Sequence, residues 1–186
     1  MSSAGKELYP ENPMFPLVLA DLYTKTNESD KTLTTLLKAE KKWPGHTDIL
    51  FSLGSALHQQ KKINEAIKRM EKIILIDPNH TSALNFLGYT LTEKNQNLNR
   101  ALALIQRAVK KEPGNGYFLD SLAWVYFKQD HIQKAWNAIQ ESVQQVSDEY
   151  EIWEHYAAIA QQLNKKNEQE KAQKKMRKLK KQAGQR

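Results

Sequence analysis

The sequence predicts an all-α fold in which helix pairs stack into a solenoid. Three observations carry that prediction. An apolar helical stripe recurs along the chain, a small residue inside the stripe keeps a nearly constant spacing, and prolines close successive units at the same interval. The stripe is Leu50-x2-Leu53-Gly54-x2-Leu57, and it returns as Leu84-x2-Leu87-Gly88-x2-Leu91. It recurs as Leu119-x2-Leu122-Ala123-x2-Tyr126 and as Trp153-x2-Tyr156-Ala157-x2-Ala160. Its small residue falls at Ala20, Gly54, Gly88, Ala123 and Ala157, with spacings of 34, 34, 35 and 34. Pro44, Pro78 and Pro113 keep the same period, with Ser147 in the next equivalent place.

Apolar residues at i, i+3, i+4 and i+7 share one helix face. A second motif follows the first, Ala66-x3-Met70, Ala101-x3-Ile105 and Ala135-x3-Ile139, so each unit holds two amphipathic helices. The small residues let the two backbones approach where the helices cross. No unit can bury its apolar face alone, so neighbours must stack.

Taken in order, the first helices are expected near 13–25, 47–60, 81–94, 116–129 and 149–163. The second helices are expected near 29–42, 63–76, 97–111, 131–146 and 166–182. Asn12-Pro13 reads as an N-cap followed by proline at the first helical position. Thr32 stands where the first unit should carry its second small residue, so that helix is expected to pack less closely. The third unit carries one extra residue between Asn95 and Asn99. Asp77-Pro78-Asn79-His80 and Glu112-Pro113-Gly114-Asn115 supply the breakers and caps between units. The last unit recovers its second motif as Ala172-x3-Met176-x2-Leu179, after a turn expected to be about three residues longer.

These motifs resemble the tetratricopeptide repeat family, whose W-x2-L-G-x2-Y…A-x3-F…P pattern they follow at matching offsets over about Pro13 to Leu179. The wording of the middle units is bacterial in character, and the chain reads as a bacterial member or a fragment of one. The resemblance implies a right-handed α-α superhelix of about five helix pairs with a C-terminal capping helix. The expected organisation is a flexible segment over 1–12 and a repeat array over 13–164, with units at 13–46, 47–80, 81–115, 116–148 and 149–164. A basic amphipathic helix over 165–186 completes the fifth unit.

Charge is unevenly distributed. The 186 residues carry 28 Lys and Arg against 21 Asp and Glu, a net of +7. Residues 165–186 hold ten basic and two acidic residues, so this tail is +8 and the preceding 164 residues are −1. Ala172, Met176, Leu179 and Ala183 form one apolar stripe in the tail, which favours a solvating end helix over a nucleic-acid arm. No aromatics interleave its lysines, and lysine lacks the bidentate fork of arginine. Binding to RNA or an anionic surface through this helix is retained as an alternative.

In the resembled family the first helix of each unit lines a concave groove that takes peptides or partner helices. The corresponding positions here include Phe51, Ser55 and His58, then Asn85 and Tyr89, then Asp120, Trp124 and Phe127, and finally Glu154, with His155 beside it on the groove edge. Phe51, Tyr89, Tyr117, Trp124 and Phe127 form an aromatic strip, the kind of residue that anchors partners. Some of them, Tyr117 and Phe127 above all, are also candidates for packing as core. Asp48, Asp120, Glu151 and Glu154 make the flanks acidic, and no groove position is Lys or Arg. The expected partner is therefore a protein or peptide that is apolar or basic, and not a C-terminal carboxylate.

Chemistry of other kinds is not indicated. There is no Cys, which removes thiolate catalysis, disulfides and Cys-based zinc. His46, His58, His80, His131 and His155 never stand three or four residues apart, and His46, His80 and His131 fall at turns. No glycine-rich phosphate loop or nucleophile elbow occurs. Asp120, Ser121 and His155 come from neighbouring units and could in principle approach, the single catalytic-looking combination in the chain. The expectation is a noncatalytic interaction module with no catalytic residue, cofactor or metal. No run reaches membrane-span length. Self-association into a scaffold is the further alternative. The start lacks an apolar leader, so the chain as written is expected in the cytoplasm, whereas a fragment of an exported protein is expected in the periplasm, and the sequence leaves the compartment open.

Overall fold

The computed structural model describes residues 12–184, so the expected flexible segment over 1–12 lies outside the described residues except for Asn12. Ten helices follow one another: α1 Met14–Lys25, α2 Ser29–Lys42, α3 Thr47–Gln59, α4 Ile63–Ile76, α5 Thr81–Glu93, α6 Leu98–Lys111, α7 Gly116–Lys128, α8 Ile132–Gln145, α9 Tyr150–Gln162 and α10 Lys166–Ala183. Each end lies within one residue of the span read from the periodicity. By internal contacts the chain forms two compact units, Met1–Pro78 and Asn79–Arg186.

In the first unit, Leu50, Leu53 and Leu57 are sealed from solvent, as their stripe requires. A methyl group added at Gly54 would sit 2.3 Å from the Met70 Cε atom, the far end of a flexible side chain. Asn12 caps α1 by accepting from the Met14 N–H at 2.9 Å, with Pro13 in helical conformation behind it. Thr32 is buried, and a cleft of about 190 Å³ opens beside it, walled in part by Thr24, Leu36 and Phe51.

In the second unit the constraint is tighter. A Cβ at Gly88 would lie 2.5 Å from Ile105 Cγ1 and 3.0 Å from the Ala101 carbonyl oxygen, which is backbone and cannot swing away. Gly116 opens α7 against the end of α8, and its carbonyl accepts from the buried Ser142 hydroxyl at 2.8 Å. Asn115 caps α7 and His80 caps α5, each through side-chain acceptance from the first turn. His46 and His131 precede α3 and α8 without a side-chain cap bond.

Every turn inside a pair is built alike. Asn27, Lys61, Asn95, Asp130 and Asn164 occupy the left-handed region, with φ between 50° and 61°. Two backbone bonds close each turn, such as Asn27 N–H to the Thr24 carbonyl and Glu28 N–H to the Tyr23 carbonyl. The same two bonds recur around Lys61, Asn95, Asp130 and Asn164. This is a Schellman ending, which normally uses glycine because an L side chain strains there. No glycine is used. Asn and Asp tolerate the conformation through local hydrogen bonding, whereas Lys61 has no such relief. The extra residue of the third unit is absorbed by a second left-handed residue, Asn97, whose side chain caps α6.

The last turn differs from expectation. It is not lengthened: α10 begins at Lys166, 34 residues after Ile132 opens α8. Gln169 therefore takes the small-residue slot and stays half-buried, while Ala172, one turn later, is fully buried. The Tyr156 hydroxyl donates to Glu168 at 2.5 Å and holds the start of α10 on α9, so the close approach shifts along the helix. Met176 and Leu179 pack on the same cluster as Trp136, Trp153 and Tyr156.

Three outcomes follow for stability. Gly88→Ala lowers unfolding free energy by about 1–2 kcal/mol, because the backbone clash outweighs the roughly 1 kcal/mol gained in helix propensity. Gly54→Ala stays near neutral, and denaturant titration of the two variants measures the difference. Lys61→Gly raises stability by about 1 kcal/mol by relieving left-handed strain. The Tyr156 phenol, first, and nearby lysines hold the Glu168 carboxyl below its ordinary value. That contribution is present above the unfolded carboxylate range and is lost as pH falls through the folded one. Glu168→Gln thus costs about 0.5 kcal/mol or less at pH 7, and melting curves should merge with wild type near about pH 3.

Candidate functional site

The site residues expected from sequence fall in both units. In the first, Phe51 and Ser55 stand one turn apart on α3 and border the cleft beside Thr32, with Leu17 and Asp21 of α1 on its other side. His58 lies in the next turn, half-buried.

The second unit brings most of the remaining residues together. Asn85 and Tyr89 stand one turn apart on α5, Asp120, Trp124 and Phe127 share a face of α7, and Glu151, Glu154 and His155 belong to α9. His155 Nδ1 lies 2.9 and 3.1 Å from the two Asp120 carboxylate oxygens. The Trp124 ring stacks on the imidazole at 4.0 Å between centroids and on Phe127 at 5.0 Å. Its indole N–H donates to Glu93 at 2.6 Å, and the Lys128 ammonium stands 4.7 Å from its ring. The Tyr89 hydroxyl donates to Glu151, and its ring is 6.3 Å from His155.

Two expectations require correction here. Asp120 and His155 do not line an open surface; each is only 6% exposed. Asp120 occupies the same repeat slot as Phe51, Asn85 and Glu154, but α9 lays His155 across it and Trp124 covers the imidazole. His155 is held inside and not at a groove edge, because it shares a face of α9 with the buried Ile152 and Ile159. Trp124 is also not a bare anchor, since its ring and its N–H are already engaged. Phe127 packs against the core cluster, whereas Tyr117 is 52% exposed and donates to Glu149 at 3.2 Å. Glu154 is exposed.

The electrostatics are one-sided. Burial is the first cause that raises the Asp120 carboxyl above its ordinary value; the His155 hydrogen bond opposes it, and Glu151 and Glu93 add to the rise. Burial, the bond to Glu151, and the charges of Glu93 and Asp120 push the Tyr89 phenol far upward. Carboxylates of three successive first helices thus join one cluster: Glu151 accepts from Tyr89, Glu93 from Trp124, and Asp120 pairs with His155. Glu93 and Glu151, the partners that matter most here, were reached by sequence only in part: Glu151 as an acidic flank, and Glu93 not at all. Glu93 ends α5, one residue beyond the last groove slot, Thr92.

The Asp120–His155 pair has the geometry of a base and its orienting acid, but Ser121 does not complete it. The Ser121 hydroxyl donates to the Tyr117 carbonyl at 3.1 Å within its own helix. The Asn85 side-chain Oδ1 is buried without a hydrogen-bond partner.

Comparison with known proteins places this geometry in context. The family model described as plant-specific mitochondrial import receptor subunit TOM20 matches residues 37–180. The TPR repeat-containing protein PA4667 of Pseudomonas aeruginosa is 24% identical over 139 residues, covering 75% of this chain and 23% of that protein. The human PEX5-related protein is 33% identical over 105 residues, covering 56% of this chain and 16% of that protein. The chain thus spans less than a quarter of the length of these curated relatives. Among solved structures, the thermophilic TPR protein TTC0263 of Thermus thermophilus superposes with a TM-score of 0.74 at 19% identity, covering 93% of this chain and 92% of that one. A MamA RS-1 double mutant gives 0.73 at 16% identity, covering 95% and 99%. With its 34-residue helix pairs and a family match over most of its length, the chain belongs to the tetratricopeptide repeat proteins, within the family described by the TOM20 import receptor model.

Proposed function

We propose that the chain is a noncatalytic protein-interaction module, and that its second unit receives a peptide or partner helix across α5, α7 and α9. The observation that carries this reading is one connected cluster on three first helices, in which Tyr89 donates to Glu151, Trp124 donates to Glu93 and stacks on His155, and His155 is held by Asp120. Among the described residues, Glu93, Glu151 and Glu154 make no salt bridge to Lys or Arg. An acidic wall with aromatic rings favours a basic or apolar partner and repels a free carboxylate. A hydrolytic reading loses support because Ser121 is turned away from the Asp120–His155 pair. The docking of α10 on α9 through Ala172, Met176 and Leu179 favours an end helix over a free nucleic-acid arm. The matching family's description, an import receptor subunit, is in keeping with a role in recognising other proteins.

Selection from a displayed peptide library tests the proposal. Enriched peptides should carry basic and apolar residues, and their binding should perturb amide resonances of α5, α7 and α9. Replacing the exposed Glu93 and Glu154 by lysine should weaken binding at least tenfold while the helical circular dichroism stays unchanged. Undiminished binding by that folded variant, or perturbations confined to α10, would overturn the reading.

A further inference from the structure

Helix α1 turns an apolar face to solvent. Met14, Phe15, Val18 and Leu22 are each between 42% and 55% exposed, and they are half of the large apolar side chains that stand exposed among the described residues. Two of these positions are buried slots elsewhere in the repeat. Val18 and Leu22 stand two residues either side of the small residue Ala20. Ser121 and Val125 flank Ala123 in the same way on α7, as His155 and Ile159 flank Ala157 on α9, and all four are at most 6% exposed. On α3 the corresponding residues are Ser52, half-buried, and Ala56, buried. The preceding pair supplies the cover: α2 packs on α3, α6 on α7 and α8 on α9, and His155 lies directly on Asp120 of α7. On α1 the same face carries larger apolar residues, and among the described residues no helix precedes it. The exposed face is thus continuous in kind with the interface that joins one pair to the next.

Shape and charge select what fits it. Met14, Val18 and Leu22 stand four residues apart and form one i±4 ridge. A two-fold axis through Val18 maps that ridge onto itself, setting Met14 of one copy against Leu22 of the other in antiparallel helices. The two charged residues of α1, Asp21 and Lys25, pair with each other at 2.7 Å, so the helix carries no net charge to hold two copies apart. The last helix does not fit the ridge. α10 turns Ala172, Met176 and Leu179 inward, and every other side chain from Gln173 to Gln182 is Lys, Arg or Gln. Docked head to tail, those cations would lose water against an apolar surface. Residues 1–11 hold Met1, Leu8 and Tyr9 as their only large apolar side chains, none of them four residues apart. Four half-exposed side chains of this size offer on the order of 100 Å² each, so two such faces bury about 800 Å², the range of weak, reversible association.

We infer that α1 is a self-association face, on which two copies of the chain pair their α1 helices antiparallel about Val18. The dimer is weak, with a dissociation constant in the micromolar range, and it is independent of the groove across α5, α7 and α9.

Sedimentation equilibrium of the full chain, from low to high micromolar concentration, tests it. The wild type should pass from monomer to dimer and no further, because a two-fold contact closes on itself. Val18→Glu sets two like charges together on the axis and should raise the dissociation constant at least tenfold. Its helical circular dichroism should not change, because the position is exposed. Leu22→Lys should weaken the dimer likewise, and adding Met14→Glu to it should restore most of the affinity. Those positions are about 12 Å apart along one helix and meet only across the axis. Lys178→Glu on α10 should leave the dimer within twofold of wild type. A chain that stays monomeric throughout, or a dimer that Val18→Glu leaves intact, would overturn the inference. Open-ended growth, a dimer that Lys178→Glu abolishes, or no rescue by Met14→Glu would overturn it equally.

Discussion

Each helix pair depends on two backbones coming close at one crossing, and on a turn that reverses the chain within three or four residues. The crossing demands a small residue and the turn demands a left-handed one. Gly88 shows how strict the first demand is, with the Ala101 carbonyl 3.0 Å from where a methyl would stand. The left-handed residues at 27, 61, 95, 130 and 164 show the second, repeating with the same period as the small residues. A pair that failed either condition could not present its stripe to its neighbour, and stacking is the source of most of its stability.

The two conditions were unequally legible in the sequence. Gly54, Gly88 and Ala123 stand out because a small residue interrupts an apolar stripe at a constant interval. The left-handed residues do not stand out, because Asn27, Lys61 and Asp130 share no single residue type and none is glycine. The last pair misled for a related reason. Ala172 and Met176 matched the motif, but the turn geometry fixed by Asn164 sets where α10 starts, and the motif slides one turn along the helix instead.

The candidate site was legible as a set of residues and not as an arrangement. A helical register tells which slot a residue occupies, and it placed Tyr89, Asp120 and Trp124 on one wall. It does not tell what the next pair lays over that slot. Asp120 and Glu154 are equivalent by register, yet one is sealed beneath His155 and the other is exposed. Burial of a carboxylate is tolerable only with a partner close by, and the imidazole at 2.9 Å supplies it. The same contact fixes the ring on which Trp124 stacks, so an internal polar pair orders the aromatic surface above it.

The Tyr89–Glu151 hydrogen bond joins residues 62 positions apart, whereas most side-chain bonds between helices here span about half that distance. Closing a longer loop costs more chain entropy, so this bond depends on the helices between its ends being in place. The wall around Tyr89 draws its residues from α5, α7 and α9, so it is complete only where those three helices are stacked. A nascent or frayed chain therefore lacks the recognition surface even when most of its helix is already present.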